Sequence, residues 1–141
     1  MKLKTLLFTV LFWVSALAAN AQLSEYDANE PLGFGANTTG GAGGSSVTVS
    51  TLSDLQSALK SSGKKIIYIK GAIKFSSMFT VSSQSDKTIL GLPGSYLYSE
   101  QRTTASSTGI LYFKNCSNII MRNVTFKSAG AYDCDGNDNL C

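Results

Sequence analysis

The chain has 141 residues, a formal net charge of +3, 43% hydrophobic and 15% charged residues, and no histidine. That length suits one small domain. There is no basic stripe or arginine cluster for nucleic acid, and the missing histidine and the absence of CxxC pairs argue against zinc.

Residues 1–21 read as a signal peptide. Lys2 and Lys4 precede an uncharged run from Leu6 to Ala19, and Ala19-Asn20-Ala21 sets small residues ahead of a cut before Gln22. The run of 14 residues is short for a bilayer core, which needs about 20. The expectation is a secreted, extracellular chain with no membrane part once mature. Loss of Lys2 and Lys4 leaves ten basic against nine acidic side chains, a net of +1. Export permits disulfides. Cys116, Cys134 and Cys141 are an odd set, so at least one thiol is left over, and Cys134 and Cys141 are candidates to pair.

Residues 22–32 form an irregular surface segment. Gly33 to Gly44 then carries six glycines in twelve residues, which rules out a regular element. A phosphate loop would end in Gly-Lys-Ser/Thr and enter a helix, and a dinucleotide fingerprint would also lead into a helix. Here Ser45–Val49 follows and reads as a strand, so the glycines predict a tight crossing loop with positive φ.

Thr51–Lys60 is a short amphipathic helix. Leu52, Leu55 and Leu59 recur at i, i+3 and i+7 with Ala58 beside them. Thr51 or Ser53 caps its start, Asp54 opposes the dipole, and Gly63 ends it. Its expected role is to cover an apolar opening.

The remainder is β-rich, with strands expected at 65–70, 87–90, 110–113, 119–121 and 124–126, each gap punctuated by Gly, Ser or Asn. Ile67 to Ile89 is 22 positions, and Ile89 to Leu111 is 22 again. One short strand per fixed period in the twenties is the mark of a solenoid. Asn115, Asn118 and Asn123 stand at turns, where Asn accepts left-handed geometry and can bond along a stack. An antiparallel sandwich would need hairpin dipeptides, and only Asp135-Gly136 qualifies.

Two stretches carry a resemblance. Gly33-Phe34-Gly35 through Gly44, followed by Val47-Thr48-Val49 and Leu52-Ser53-Asp54-Leu55, resembles the opening of pectate lyases of polysaccharide lyase family 1. Asn118-Ile119-Ile120-Met121-Arg122-Asn123-Val124-Thr125-Phe126 is similar to that family's "N-V-I-I-R-N-I-x-F" strand pair. It leads into Ala131 to Asp138, similar to the family's acidic turn. The resemblance implies an all-β, right-handed parallel β-helix over residues 33–141 with an N-terminal capping helix. It also implies calcium-assisted β-elimination on polygalacturonate or pectin.

Asp133, Asp135 and Asp138 lie within six residues without a base among them. Calcium takes six to eight oxygens from such loops, though the spacing is not that of an EF-hand. The resemblance implies a Ca2+ site, with Asp138 the best match, then Asp135, then Asp133. The family's Trp-x-Asp-His strand and its Arg-x-Pro-x-x-Arg segment, which holds the base, have no counterpart here. Arg102 and Arg122 stand outside that motif. The chain is therefore expected to be an N-terminal fragment that is inactive alone and that self-associates through an uncapped last coil. Two functions stay open: a piece of a lyase, or a carbohydrate-binding surface β-helix that would show exposed aromatics among Tyr68, Tyr96, Tyr98 and Tyr112. A pectin esterase or polygalacturonase would need catalytic Asp motifs that are not found. Asn37, Asn115 and Asn123 head Asn-x-Ser/Thr triplets.

Overall fold

Leu52–Lys60 (α1) begins where the sequence provides a cap. Thr51 sits in extended geometry, its Oγ1 accepts from the Asp54 amide at 3.2 Å, and it donates to the Asp54 carboxylate at 2.7 Å. The Asp54 amide, which the helix cannot satisfy internally, thereby gains a partner, and the Asp54 carboxylate sets a negative charge in the first turn. The C-terminal end closes through Ser61, whose hydroxyl donates to the Ala58 carbonyl at 2.7 Å. These facts come from a computed structural model, which describes residues 35–102 and 109–129. The chain divides after Ala36, and the unit from Asn37 onward contains the fold set out below. Residues 1–21, most of 22–36, and Cys134 and Cys141 lie outside the described residues.

Nine short strands follow the helix or precede it: β1 (Ser45–Val49), β2 (Lys65–Ile69), β3 (Ala72–Phe75), β4 (Phe79–Ser82), β5 (Ser85–Gly91), β6 (Tyr96–Ser99), β7 (Leu111–Lys114), β8 (Ser117–Arg122) and β9 (Phe126–Ser128). They pair only in parallel, in three sheets ordered β1-β2-β5-β8, β3-β6-β9 and β4-β7. The two central coils, β2-β3-β4 and β5-β6-β7, each contribute one strand to each sheet in turn, with β1 before them and β8 and β9 after, which is a parallel β-helix.

The register measures the coils. Val47 pairs with Ile67, Ile67 with Ile89, and Ile89 with Met121, giving coils of 20, 22 and 32 residues. The second 22-residue interval is therefore a coincidence of sequence. Leu111 pairs with Phe79 on a different sheet. The extra length sits between β6 and β7: Leu97 to Leu111 is 14 positions, whereas Ile73 to Phe79 in the preceding coil is 6. Sequence periodicity also passes over β3, β4 and β6. Each has four residues, too few to establish alternation. The last strand is displaced, running from Phe126 to Ser128 while Val124 packs from the turn before it.

The interior is a column of aliphatic side chains. Ile67, Val81, Ile89, Leu97 and Leu111 are each 0% exposed, and Ile69, Ile73 and Phe75 join them. Each such burial is worth roughly 1.5–3 kcal/mol. Leu55, Ala58 and Leu59 of α1 belong to the same cluster, and the helix packs on β1, β2, β3 and β4. It therefore covers the column beside its first coil, as its amphipathic pattern predicts. Among the described residues one cation enters this interior: Lys87, 1% exposed, donates to the Gly63 carbonyl at 2.8 Å and the Ser85 carbonyl at 2.7 Å. The bonds tie the turn after α1 to β5. Burial pushes the Lys87 amine below its ordinary pKa.

The corners of the coil use left-handed backbone. Ser83, Asp86, Asn115, Asn118 and Asn123 have φ between 52° and 59°. Asn tolerates this region because its short amide bonds locally. The turn positions expected of Asn115, Asn118 and Asn123 are thus the ones found. Asp86 and Asn118 stack on successive coils, and the Asn118 amide donates to the Asp86 carboxylate.

Candidate functional site

Side chains alternate along every strand, so each sheet has an inner and an outer face. On β1-β2-β5-β8 the outer positions of the two central strands, Ile66 and Tyr68 on β2 and Thr88 and Leu90 on β5, are buried, whereas Ile120 and Arg122 on β8 are half-buried and Ser46 and Thr48 on β1 are exposed. The glycine loop supplies part of this cover. The Gly41 amide donates to Thr88 Oγ1 at 2.9 Å, and the Thr39 and Gly40 amides donate to Asn118 Oδ1 at 2.9 and 2.8 Å. A Cβ on Gly41 would stand 2.0 Å from the Lys65 carbonyl oxygen, so only glycine permits this approach. Gly40 and Gly43 have the positive φ expected of them. These loop amides are spent on protein acceptors and are not aimed at an anion.

The outer face of β3-β6-β9 is different. Lys74, Tyr98 and Lys127 fall in one register row across three successive coils. Inward neighbours Ile73, Phe75 and Leu97 are buried, while Lys74 and Lys127 are exposed and Tyr96 and Tyr98 half-buried. The tyrosine rings lie 5.6 Å apart at 55°. Lys127 Nζ sits 3.7 Å from the Tyr96 ring centroid and Lys74 Nζ 6.0 Å from that of Tyr98, both within the range of cation–π attraction. Lys74 also forms an ion pair with Glu100. The Glu100 hydrogen bond, then its charge, raises the Lys74 pKa. Together Tyr96, Tyr98, Glu100, Lys127 and Ala129 line an open groove of about 340 Å³. Cationic heads beside aromatic faces suit a ligand with anionic groups on a ring scaffold.

Asp133, Asp135 and Asp138 lie outside the described residues. Among the described residues no three His, Cys, Asp or Glu side chains come together. Ala129 lines the groove, and Asp133 follows it by four positions in the chain. Arg122 ends β8 in register with Leu90, away from the groove row. Tyr68 is buried, whereas Tyr96, Tyr98 and Tyr112 are half-buried. Cys116 is a free thiol whose Sγ donates to the Val81 carbonyl at 3.3 Å. No described helix is long and apolar enough to cross a membrane. Sequence inspection passes over Lys74, Glu100 and Lys127. Their signal is the alternation in Ala72–Phe75 and Tyr96–Ser99, where apolar Ile73, Phe75 and Leu97 interleave with Lys74, Tyr96 and Tyr98.

Comparison with known proteins gives a consistent neighbourhood. A family model described as pectate lyase matches residues 4–139. "Pectate lyase plyB" of Emericella nidulans is 37% identical over 91% of this chain and 40% of its own length. A "Pectin lyase" of Pectobacterium carotovorum is 37% identical over 65% of this chain and 27% of its own. A "Pectate trisaccharide-lyase" of Thermotoga maritima is 29% identical over 86% of this chain and 32% of its own. The chain thus spans at most about two fifths of the length of these relatives.

Proposed function

The chain belongs to the pectate lyase family, and from that premise we propose that it is part of a secreted lyase that holds polygalacturonate along the outer face of β3-β6-β9. The observation carrying this is the register row Lys74–Tyr98–Lys127 beside Tyr96. Successive coils stand about 4.8 Å apart, so the row presents cations and ring faces at regular intervals along the helix axis. A polyuronate presents carboxylates and sugar C–H faces at regular intervals in turn. The names of the relatives include both pectate and pectin lyases, and the lysines favour the acid form.

The acid-rich turn is the second element. Its carboxylates, with the Asn137 carboxamide, make an oxygen-only donor set of the kind calcium prefers. Asp138, Asp135 and Asp133 would hold the ion, in that order of expectation. When bound, calcium draws charge from the uronate C6 carboxylate and acidifies the C5 proton. Chain connectivity keeps Asp133, four residues past Ala129, within about 14 Å of the groove and Asp138, nine residues past it, within about 32 Å. The groove's part is to bind and orient the uronate chain. Proton abstraction needs a base that neither Arg102 nor Arg122 supplies, since arginine ordinarily stays protonated and neither stands in the family's arginine motif. The 141 residues alone therefore bind and do not cleave.

The test uses polygalacturonate with added calcium and reads absorbance from the C4–C5 double bond. The 141-residue chain is expected to release no unsaturated product. Calcium-dependent product above an Asp138→Ala control would contradict this. Export is tested separately: an exported chain should begin at Gln22, and one retaining Met1 would refute the signal peptide.

A further inference from the structure

Lys127 pairs with Tyr98 in the register of β9 and β6. Its Nζ nevertheless lies 3.7 Å from the ring centroid of Tyr96, two positions earlier on β6. Two strand positions are about 6.6 Å, so the side chain leans back along β9. The chain leaves β9 at the opposite end, through Ser128 and Ala129, toward Asp133, Asp135 and Asp138. No basic residue lies between Ala129 and Cys141, so Lys127 is the nearest cation in sequence to these three acids. Six positions separate it from Asp133, a span of at most about 22 Å. Glu100, the described carboxylate of the same groove, is already paired with Lys74.

We propose that Tyr96 is a positioning residue for the calcium turn: its ring holds the Lys127 ammonium away from Asp133, Asp135 and Asp138 and so keeps those carboxylates available to calcium. The inference rests on the acid-rich turn being the calcium site. Calcium and a lysine ammonium are rival counter-ions for the same carboxylate oxygens. The lysine has a local advantage, because it is tethered to the turn it would neutralise. An ammonium seated on a ring face gives up part of that advantage, since it must leave the ring to pair with an acid. Phenylalanine offers the same ring face, and leucine fills similar space without one. Lys127 therefore weakens calcium binding when released and leaves it nearly untouched when held.

Calcium alone is titrated by calorimetry at low ionic strength into the 141-residue chain and its Tyr96→Leu, Tyr96→Phe, Lys127→Met, Tyr96→Leu/Lys127→Met and Asp138→Ala variants. Tyr96→Leu should weaken calcium binding about two- to fivefold, the range an exposed cation–π contact supplies. Tyr96→Phe should bind as the wild type does. Lys127→Met should bind at least as tightly as the wild type. Adding it to Tyr96→Leu should restore affinity, because the rival cation is gone. A role in packing alone would survive the loss of Lys127, so an undiminished Tyr96→Leu effect in the double variant overturns the inference. Unchanged affinity in Tyr96→Leu overturns it too. So does weaker binding in Lys127→Met, which would make the lysine a support and not a rival, and that readout serves even if Tyr96→Leu fails to fold. Calcium uptake by the wild type that Asp138→Ala abolishes keeps the turn reading in place whichever way Tyr96 falls. If the wild type takes up no calcium, the turn reading falls and this inference falls with it.

Discussion

Two sheets of the same coils meet opposite fates. At its two central strands the outer face of β1-β2-β5-β8 carries Ile66, Tyr68, Thr88 and Leu90, all buried, with the glycine loop bonded across part of it. The outer face of β3-β6-β9 carries Lys74, Tyr96, Tyr98 and Lys127, which meet solvent. Both share one interior, so stability and function separate by face and not by region of sequence. A sheet covered on both sides reads as a near-continuous apolar run, as in Ile66–Ile69. A sheet with one open side alternates, and its outward positions are free to specialise.

The comparison can be broken first at the shared interior. Leu97→Ala, at a side chain 0% exposed, should cost about 2–5 kcal/mol in chemical denaturation. A cost below about 1 kcal/mol would mean the column is not packed as described. The outward neighbour Tyr98→Ala should cost much less, because its ring is half-buried. Equal costs at the two positions would erase the distinction between faces.

The covered sheet is tested next. Gly41→Ala places a Cβ against the Lys65 backbone, which cannot swing aside, and should destabilise by about 1–3 kcal/mol. Asn118→Ala removes the acceptor of the Thr39 and Gly40 amides and the donor to Asp86. It should cost about 1–3 kcal/mol. Melting midpoints that stay at the wild-type value would show that the loop is dispensable cover.

The smallest expected effect concerns pH. The Asn118 hydrogen bond, then that of Ser85, lowers the Asp86 pKa below its ordinary value. A carboxyl depressed in the folded state stabilises above its unfolded pKa of about 3.9, and that contribution is lost as pH falls through the folded value. Acid melts should therefore show a fall in stability below about pH 4 that Asp86→Asn makes shallower. An identical acid slope in the variant would contradict the assignment.

Much of this was legible from the sequence where one physical requirement picks one residue type. The glycines of the loop, Thr51 as cap, the Leu55–Leu59 stripe and the asparagine corners each answer a local demand, and each is found in that role. The 22-residue repeat was legible only halfway: the Ile67–Ile89 step is real, but the longer connection between β6 and β7 moves Leu111 to another sheet. The groove was least legible. Lys74, Tyr98 and Lys127 are 24 and 29 positions apart, and only the register brings them into a row. Buried Lys87 was equally hidden, since its acceptors are backbone carbonyls, one of them 24 positions away.

The central claim is that the open face of β3-β6-β9, and not the covered face of β1-β2-β5-β8, receives the uronate chain. Backbone amide chemical shifts recorded while de-esterified oligogalacturonide is titrated into the isotope-labelled chain test it most directly. The account predicts saturating shifts at Tyr96, Tyr98, Lys127 and Ser128 with none at Ile66, Tyr68, Thr88 or Leu90. Shifts confined to the second set, or absent from the first at saturating ligand, would contradict it.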